Sequence, residues 1–297
     1  MKLRLALAQW PIGAPADFDA FAARVSDEVA VAARAGAKVI VLPEYLALEL
    51  AATLPRGTRA DVAATLAALQ ASHGAWLALF SGLARRHDVH LLDGTFLLAQ
   101  RNGRYRNRAS LFAPSGDSVS QDKLTLTGFE NDLGVVEPGD ELCVFDCGFA
   151  RVAINVCYDA EFPLYARAQQ QAGARLLLVP SCTDAEAGAT RVRVGCMARA
   201  LENRLYVAQS VTAGEAPDNP SLDTNSGFAA VYAPSDRGLP ADGVVARAAA
   251  GVNTWLLADV DLAALDESLR AAQVRVPADW DAQSRPGVVR ARVQRID

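Results

Sequence analysis

Short apolar runs recur along this chain, and stretches whose apolar residues have helical spacing lie between them. The runs at 39–42 and 176–179 contain no polar residue. A strand without polar alternation is typical of a sheet that is buried on both faces. Because such strands must be covered on each side, the pattern favours a layered α/β fold with helices on both faces.

The other elements are predicted from the same periodicities and from turn residues. Asp17 is predicted to cap the first helix, which Gly36 ends. Helices are predicted at 17–35, 59–87, 163–172, 190–203 and 261–271. Strands are predicted at 2–8, 38–42, 89–94, 95–99, 104–113, 117–121, 142–147, 150–156, 176–181, 205–210, 228–233, 244–248 and 254–260. Loops are predicted at 122–130 and at 212–226, and we interpret the second as a lid or a subunit contact.

Nothing in the sequence divides the chain into parts. Its 297 residues allow one large domain or two ordinary ones, but no linker, charge block or internal repeat marks a boundary. We therefore predict a single domain over residues 1–297. Its weakly patterned tail, about 272–297, is expected to lie at a subunit interface.

Composition argues against several classes of function. The net charge is −5 and there is no basic run, which disfavours a nucleic-acid partner. Five cysteines without paired spacing do not make a disulfide framework, and three histidines argue against a zinc site. No apolar stretch is expected to span a bilayer, and the N-terminal strand is too short for a signal-peptide core. We therefore expect no membrane partner and a cytoplasmic location.

The segment at 153–163 has the pattern of a strand, a sharp elbow and a helix. An apolar run leads into Cys157, a turn-prone polar stretch follows, and Pro163 suits the first turn of a helix. A thiol on such an elbow stands clear of its sheet, and the N–H groups that open the helix would lower its pKa. The alternative is an ordinary buried cysteine, since cysteine is among the most buried residue types.

Three predicted strand ends carry a charged or reactive residue, namely Glu44, Lys123 and Cys157. Acyl transfer needs a base, a cation for the oxyanion and a nucleophile, and these residue types supply all three. Burial would raise the pKa of Glu44 and a nearby Lys123 would lower it. Taken singly, Glu44 could be a solvated turn residue and Lys123 an exposed loop lysine. The base is not expected to be a histidine. Of the three histidines, His73 and His87 fall on predicted polar helix faces and His90 falls at a predicted strand start.

Several short blocks occur together in a fixed order. They are 5–9 (LALAQ), 41–44 (VLPE), 122–123 (DK) with 129–130 (FE), 156–159 (VCYD) with 162–163 (FP), 179–181 (VPS) and 199–203 (RALEN). With these blocks the chain resembles the nitrilase, or carbon–nitrogen hydrolase, superfamily from about residue 3 to about residue 260.

The resemblance implies an α-β-β-α sandwich and assigns roles to particular residues. Glu44 would be the general base, Lys123 the cation that stabilises the transition state, and Cys157 the nucleophile. Glu130 would be a second glutamate that positions substrate, and the N–H of Tyr158 would join Lys123 in the oxyanion hole. The resemblance further implies a homodimer or a larger homo-oligomer, and neither a metal nor an organic cofactor.

The reaction implied is hydrolysis through an acyl-enzyme on the cysteine. We favour a small amide or an N-carbamoyl amine as substrate. A nitrile, or acyl transfer to an amine, would use the same residues. A catalytically silent binding subunit is a further alternative, and the presence of all three reactive residues argues against it.

The chain departs from the family pattern at Glu161, where many members have an arginine. An arginine suits a substrate carboxylate, and a glutamate cannot bind one. We therefore hypothesise a neutral or cationic substrate. The alternative is that Glu161 pairs with a structural arginine, for which the candidates are Arg167, Arg191, Arg193 and Arg199. Tyr45, Phe129 and Cys182 are expected to line the pocket, Cys182 as wall or core and not as a second nucleophile.

Overall fold

A computed structural model describes residues 2–217, 219, 221–249 and 254–296. The α-helices are α1 (Phe18–Arg34), α2 (Arg56–Arg59), α3 (Val62–Leu69), α4 (His73–His87), α5 (Gly128–Leu133), α6 (Pro163–Gln171), α7 (Glu186–Asn203), α8 (Leu262–Ala271) and α9 (Val276–Asp279). Short 3₁₀ helices occur at Leu46–Thr53, Gln70–Ser72, Cys157–Glu161 and Trp280–Ser284.

The strands are β1 (Lys2–Pro11), β2 (Val39–Val41), β3 (His90–Leu92), β4 (Phe96–Ala99), β5 (Tyr105–Phe112), β6 (Ser118–Asp122), β7 (Val144–Asp146), β8 (Arg151–Ile154), β9 (Leu176–Ser181), β10 (Tyr206–Glu215), β11 (Thr224–Asn225), β12 (Ala230–Tyr232), β13 (Val244–Arg247) and β14 (Thr254–Asp261). They form one continuous hydrogen-bonded network in which the main path runs β4-β5-β3-β2-β1-β10-β9-β8-β7.

Strand β1 joins the two halves of this network. Residues 2–9 pair with β14 and residues 5–7 with β2, whereas residues 9–11 pair in parallel with β10. The first half therefore contains β14, β1, β2, β3, β5, β4 and β6. The second half contains β13, β12, β10, β9, β8 and β7. Sheets linked in this manner can lie face to face, with β1 passing from one to the other.

The side chains of β1 alternate between two hydrophobic cores. Leu5 and Leu7 belong to a core that also contains Ile154 and Leu177 of the second half. Ala8 and Trp10, like Ala6, belong to a different core with residues of α1 and α4. Since successive side chains of a strand point to opposite faces, one face of β1 packs towards the second sheet and the other towards helices. Residues of α6 and α7 join the first core on its far side. The predicted α-β-β-α sandwich is confirmed.

Several predicted boundaries differ from the structure. The helix predicted over 59–87 is divided into α2, α3 and α4, and α7 begins at Glu186 instead of at residue 190. The prediction of a loop from 212 to 226 is wrong at its start, because β10 continues to Glu215 and pairs with β11. The loop predicted at 122–130 likewise contains the start of α5. Thr127 and Glu130 form a capping box there, and this pattern is a signature of a helix start.

The helical segment from 62 to 87 is long and apolar enough to cross a membrane by length and composition alone. The expectation that no stretch has that property was therefore wrong. Core helices of soluble proteins have the same property, and Trp76, Phe80 and Leu83 of this segment are buried in the core with α1.

The tail from residue 272 onwards contacts α6 through Arg167, which donates to the Pro277 carbonyl and lies over the ring of Trp280. Its place at a subunit interface stays a prediction.

Candidate active site

Glu44 lies in a tight turn directly after β2. Tyr45 has a left-handed backbone with φ of 62°, which is uncommon for a residue with a side chain. The turn is held by the Tyr45 N–H, which donates to Thr95 Oγ1 at 2.8 Å. At Gly94 a side chain would overlap the carbonyl oxygen of Pro43, so the neighbouring loop can approach the turn this closely only with glycine there. The turn fixes the direction in which Glu44 projects.

The Glu44 carboxylate is buried and has a partner at each oxygen. Oε1 accepts from Lys123 Nζ at 2.8 Å and from Asn107 Nδ2 at 2.9 Å. Oε2 accepts from the backbone N–H of Cys182 at 3.0 Å. These contacts join three distant parts of the chain at one carboxylate.

Glu130 forms a second anionic partner for Lys123. Its Oε2 lies 2.8 Å from Lys123 Nζ, and its Oε1 accepts from Tyr45 Oη at 2.6 Å and from Asn107 Nδ2 at 3.2 Å. Oε2 also accepts from the N–H of Thr127 in the capping box at the start of α5. The Lys123 ammonium therefore has a carboxylate partner on two sides, and these two negative charges offset the cost of burying it.

Cys157 lies on the predicted elbow between β8 and α6. Its φ of 49° places it in the left-handed region, where a non-glycine residue is strained and where functional residues are often found. Pro163 is the first residue of α6, as its position predicts. The turn that follows Cys157 is a short 3₁₀ helix, so the thiol does not lie at the start of an α-helix. The Cys157 thiol donates to the Cys182 carbonyl at 3.4 Å, and the N–H of the same Cys182 donates to Glu44, so the thiol and the carboxylate meet at one residue.

Helix α7 supports the elbow from behind. Arg199 Nη1 donates to the carbonyl of Ala160 at 3.2 Å and its guanidinium pairs with Glu202. At Gly195 an added Cβ would lie 2.8 Å from the same carbonyl oxygen, so the helix and the elbow are in close contact. Arg199 and Glu202 thus fix this helix against the elbow.

Burial and charge together set the pKa values of the site. Burial raises the pKa of the Cys157 thiol well above its usual range, and the Glu44 charge adds to this while Lys123 opposes it. The expectation that the elbow would lower this pKa is wrong, because desolvation of a thiolate outweighs what the few nearby donors supply. Burial also raises the pKa of Glu44, against the opposing charge of Lys123. The resting thiol is therefore protonated and needs a base.

Glu130 and Lys123 remain charged at neutral pH. Burial would raise the pKa of Glu130, but Lys123 and the hydrogen bonds from Tyr45 and Thr127 lower it below its ordinary value. Burial would lower the pKa of Lys123, but Glu44 and Glu130 raise it above its ordinary value. At neutral pH the ammonium therefore keeps its positive charge beside the cysteine.

A cavity of about 350 Å³ opens over Cys157. Most of the predicted site residues line it, namely Glu44, Tyr45, Lys123, Phe129, Cys157, Tyr158, Glu161 and Cys182. Glu130 is not among the lining residues; it lies behind Lys123 and Tyr45. None of the three histidines lines the cavity. Among the residues that the structure describes, no group of three or more His, Cys, Asp or Glu side chains could hold a metal ion.

The outer part of the cavity carries several charges. Glu161 lies 3.7 Å from Arg191, one of the four arginines considered as its partner, and both residues line the cavity. Asp184 and Asp223 line it as well. Asp223 belongs to the segment predicted as a lid or subunit contact, so this segment contributes to the cavity wall.

Sequence reasoning missed Asn107, the backbone of Cys182, and Asp159. Asn107 is buried in the middle of β5, and an asparagine in a strand interior is the one local signal that could have marked it. Nothing in the sequence singles out the N–H of Cys182 as a donor to Glu44. Asp159 lies outside the cavity wall but binds backbone groups on both sides of the site, at Leu124 and Val156.

A comparison with family profiles along the chain identifies its family. The profile of carbon–nitrogen hydrolases matches residues 4–267 of this chain. The chain belongs to the carbon–nitrogen hydrolase family. The class of reaction, hydrolysis of a carbon–nitrogen bond, is thereby confirmed at the level of the family.

Individual hydrolases and amidases resemble this chain over most of its length. A probable hydrolase of Bacillus subtilis, YhcX, is 30% identical over 92% of this chain, and the match spans 52% of that relative. Omega-amidase NIT2-B of Xenopus laevis is 27% identical, over 82% of this chain and 84% of its own.

Solved structures show the same fold. Saccharomyces cerevisiae Nit3, of the nitrilase superfamily, aligns with a TM-score of 0.73 at 19% identity, covering 92% of this chain and 95% of Nit3. An amidase from Nesterenkonia sp. aligns with a TM-score of 0.68 at 24% identity, covering 89% of this chain and 92% of the amidase.

Proposed function

We propose that this carbon–nitrogen hydrolase cleaves small amides through a thioester on Cys157. The observation that carries the proposal is the position of Glu44. Its carboxylate bonds to the Lys123 ammonium at 2.8 Å, lines the same cavity as the Cys157 thiol, and shares the backbone of Cys182 with that thiol as a hydrogen-bond partner. A base, a cation and a nucleophile thus meet at the floor of one cavity.

In the first half of the reaction the thiol proton passes to Glu44 as the sulfur of Cys157 attacks the amide carbon. The carbonyl oxygen gains negative charge, which Lys123 and the N–H of Tyr158 stabilise. The C–N bond then breaks, and Glu44 returns the proton to the departing nitrogen, which leaves as ammonia or an amine. The raised pKa of Glu44 suits a group that must both take and give a proton.

In the second half water replaces the amine. Glu44 removes a proton from the water molecule as its oxygen attacks the thioester carbon, and the proton then returns to the sulfur of Cys157. The carboxylic acid is released and the thiol is restored. Glu130 holds Lys123 and Tyr45 in place throughout, because its carboxylate bonds to both.

The substrate that we propose is small, with a neutral or positively charged acyl part. The cavity of about 350 Å³ suits a small molecule. Its outer part carries Glu161, Asp184 and Asp223 against one arginine, Arg191, and this balance disfavours a substrate carboxylate. The similarity to omega-amidases favours a primary amide over an N-carbamoyl amine or a nitrile.

The test is ammonia release from a panel of small amides, N-carbamoyl amines and nitriles, with wild type beside Cys157→Ala. We expect release from amides that is lost in the variant, and a mass increase on wild type equal to the acyl group during turnover. Release that persists in Cys157→Ala would overturn the proposal. A mass increase without ammonia would point to a larger amide that frees an amine, or to acyl transfer. If neither ammonia release nor a mass increase were observed, the result would favour a silent binding subunit.

A further inference from the structure

The loop that carries Lys123 follows β6 and precedes α5. At Lys123 the backbone is bonded on both sides, because its N–H donates to the Asn107 carbonyl at 2.9 Å and its carbonyl accepts from the Gly139 N–H at 2.7 Å. The next two N–H groups, of Leu124 and Thr125, leave the sheet and donate to a single side chain. That side chain is Asp159, two residues after Cys157.

The carboxylate of Asp159 therefore bridges the two reactive segments. Thr125 N donates to Oδ1 at 2.8 Å, and Leu124 N donates to Oδ2 at 3.1 Å. On the other side, Val156 N donates to Oδ2 at 3.3 Å, and the Asp159 N–H donates to the Val156 carbonyl at 3.0 Å. One side chain thus links the residue directly after Lys123 to the residue directly before Cys157.

Asp159 does not contact the space in which a substrate would lie. Asp159 is 1% exposed and is absent from the cavity wall. Burial raises the pKa of Asp159 to about 7 against these N–H groups, and above that pH the three N–H groups make strong, directional hydrogen bonds because the acceptor carries the charge. Each of these N–H groups would be left buried without a partner if the carboxylate were removed.

We infer that Asp159 is a positioning residue that holds the Lys123 ammonium at a fixed distance from the Cys157 sulfur. This inference rests on the proposed function, because the roles of Lys123 and Cys157 come from it. Asp159 would then have a positioning role without taking part in the reaction itself. Small displacements of a positioned group are costly, and a shift of about 1 Å can reduce a rate about 100-fold.

The test uses Asp159→Asn and Asp159→Ala, with Asp236→Asn as a matched control. Asp236 is also a largely buried acid, and it pairs with Arg204 outside the cavity. Asparagine keeps one acceptor oxygen and can retain the bond from Thr125, whereas alanine keeps none. We therefore expect kcat to fall in the order wild type, Asp159→Asn, Asp159→Ala, by about 10- to 100-fold overall, with a smaller change in KM.

A second readout separates positioning from a general loss of stability. The rate of alkylation of Cys157 by iodoacetamide, followed by peptide mass between pH 8 and 10, reports the thiolate fraction. Loss of the negative charge of Asp159 would by itself increase that fraction. Displacement of Lys123 would decrease it, because Lys123 lowers the pKa of the Cys157 thiol. We expect slower alkylation in both Asp159 variants and an unchanged rate in Asp236→Asn.

The outcomes are distinguishable. Slower turnover with slower alkylation supports the inference. The inference is overturned if Asp159→Asn has the kcat of wild type or is alkylated faster than wild type. Asp159→Asn alone is sufficient for the test if Asp159→Ala does not fold. Ammonia release that persists in Cys157→Ala would instead overturn the proposed function.

Discussion

The ammonium of Lys123 lies 2.8 Å from the carboxylate of Glu44, and each side chain is only 1% exposed. Glu130 lies at the same distance on another side of the ammonium. A buried pair of this kind adds little net stability over an apolar pair, but removal of one partner leaves a charge buried and unpaired. The arrangement is therefore expected to be sensitive to single substitutions for two reasons, catalysis and stability.

Replacement of Glu44 by glutamine tests its catalytic role. The side chain keeps its size, and the variant loses the proton acceptor, so kcat is expected to fall about 10²- to 10⁴-fold. The measurement is ammonia release with the best amide of the panel. Glu49→Gln is the matched control, because Glu49 is also buried and paired with an arginine, Arg24, outside the cavity. A Glu44→Gln enzyme as active as Glu49→Gln would contradict the assignment.

Replacement of Lys123 by methionine tests the stability of the buried cluster. Glu44 and Glu130 would then share one buried space without a cation, and we expect the free energy of unfolding at pH 8 to fall by about 3–5 kcal/mol. The loss should shrink towards pH 5, because the carboxylates are protonated more easily when their pKa values rise. Urea unfolding at both pH values measures this.

The control for this loss is Lys38→Met. Lys38 pairs with Asp88 at 2.8 Å, but the two side chains are 56% and 76% exposed. An exposed pair of this kind contributes about 0–1 kcal/mol. Equal effects of the two lysine substitutions would show that burial of the Lys123 pair has no energetic consequence.

Asp93 should make stability depend on pH. Burial raises its pKa to about 7, against hydrogen bonds from Trp76 and Ser110. Between the ordinary pKa of an aspartate and this value, the folded state binds the proton and the unfolded state does not. The contribution of Asp93 to the free energy of unfolding is therefore present at low pH and falls as pH rises, by at most about 1.4 kcal/mol per pH unit.

Comparison with Asp93→Asn isolates this contribution. We expect the stability of wild type relative to the variant to decrease from pH 5 to pH 7 and to be constant above pH 8. Urea unfolding of both proteins across this range is the measurement. A difference that does not vary with pH would show that Asp93 is ionised in the folded protein at all these pH values.

Glu161 is expected to select substrates by charge. The measurement compares kcat/KM for the amide of γ-aminobutyric acid, which is cationic, with pentanamide, its neutral counterpart, and succinamate, which is anionic. Glu161→Gln should reduce the preference for the cationic amide about fivefold, the effect of about 1 kcal/mol for a partly exposed pair. Arg191→Gln should shift the preference in the opposite direction. Unchanged selectivity in Glu161→Gln would mean that this residue only pairs with Arg191.

Much of the fold could be predicted because its signals are local. The continuous burial of β1 from Leu5 to Trp10, the Asp17 cap of α1 and Pro163 at the start of α6 each depend on residues a few positions apart. The capping box at Thr127 and Glu130 was equally local and was overlooked. The order of the family blocks was sufficient to indicate the sandwich and to direct attention to Glu44, Lys123 and Cys157.

The sequence by itself thus determined the elements, their order, and which strand ends carry reactive residues. Only the tertiary structure decided what those residues contact. Asn107 lies 63 positions from Glu44 and the N–H of Cys182 lies 138 positions from it, yet both bond to the same carboxylate. The raised pKa of Cys157 was likewise beyond the sequence. Desolvation depends on how completely distant segments enclose a group, whereas spacing rules describe only neighbours along the chain.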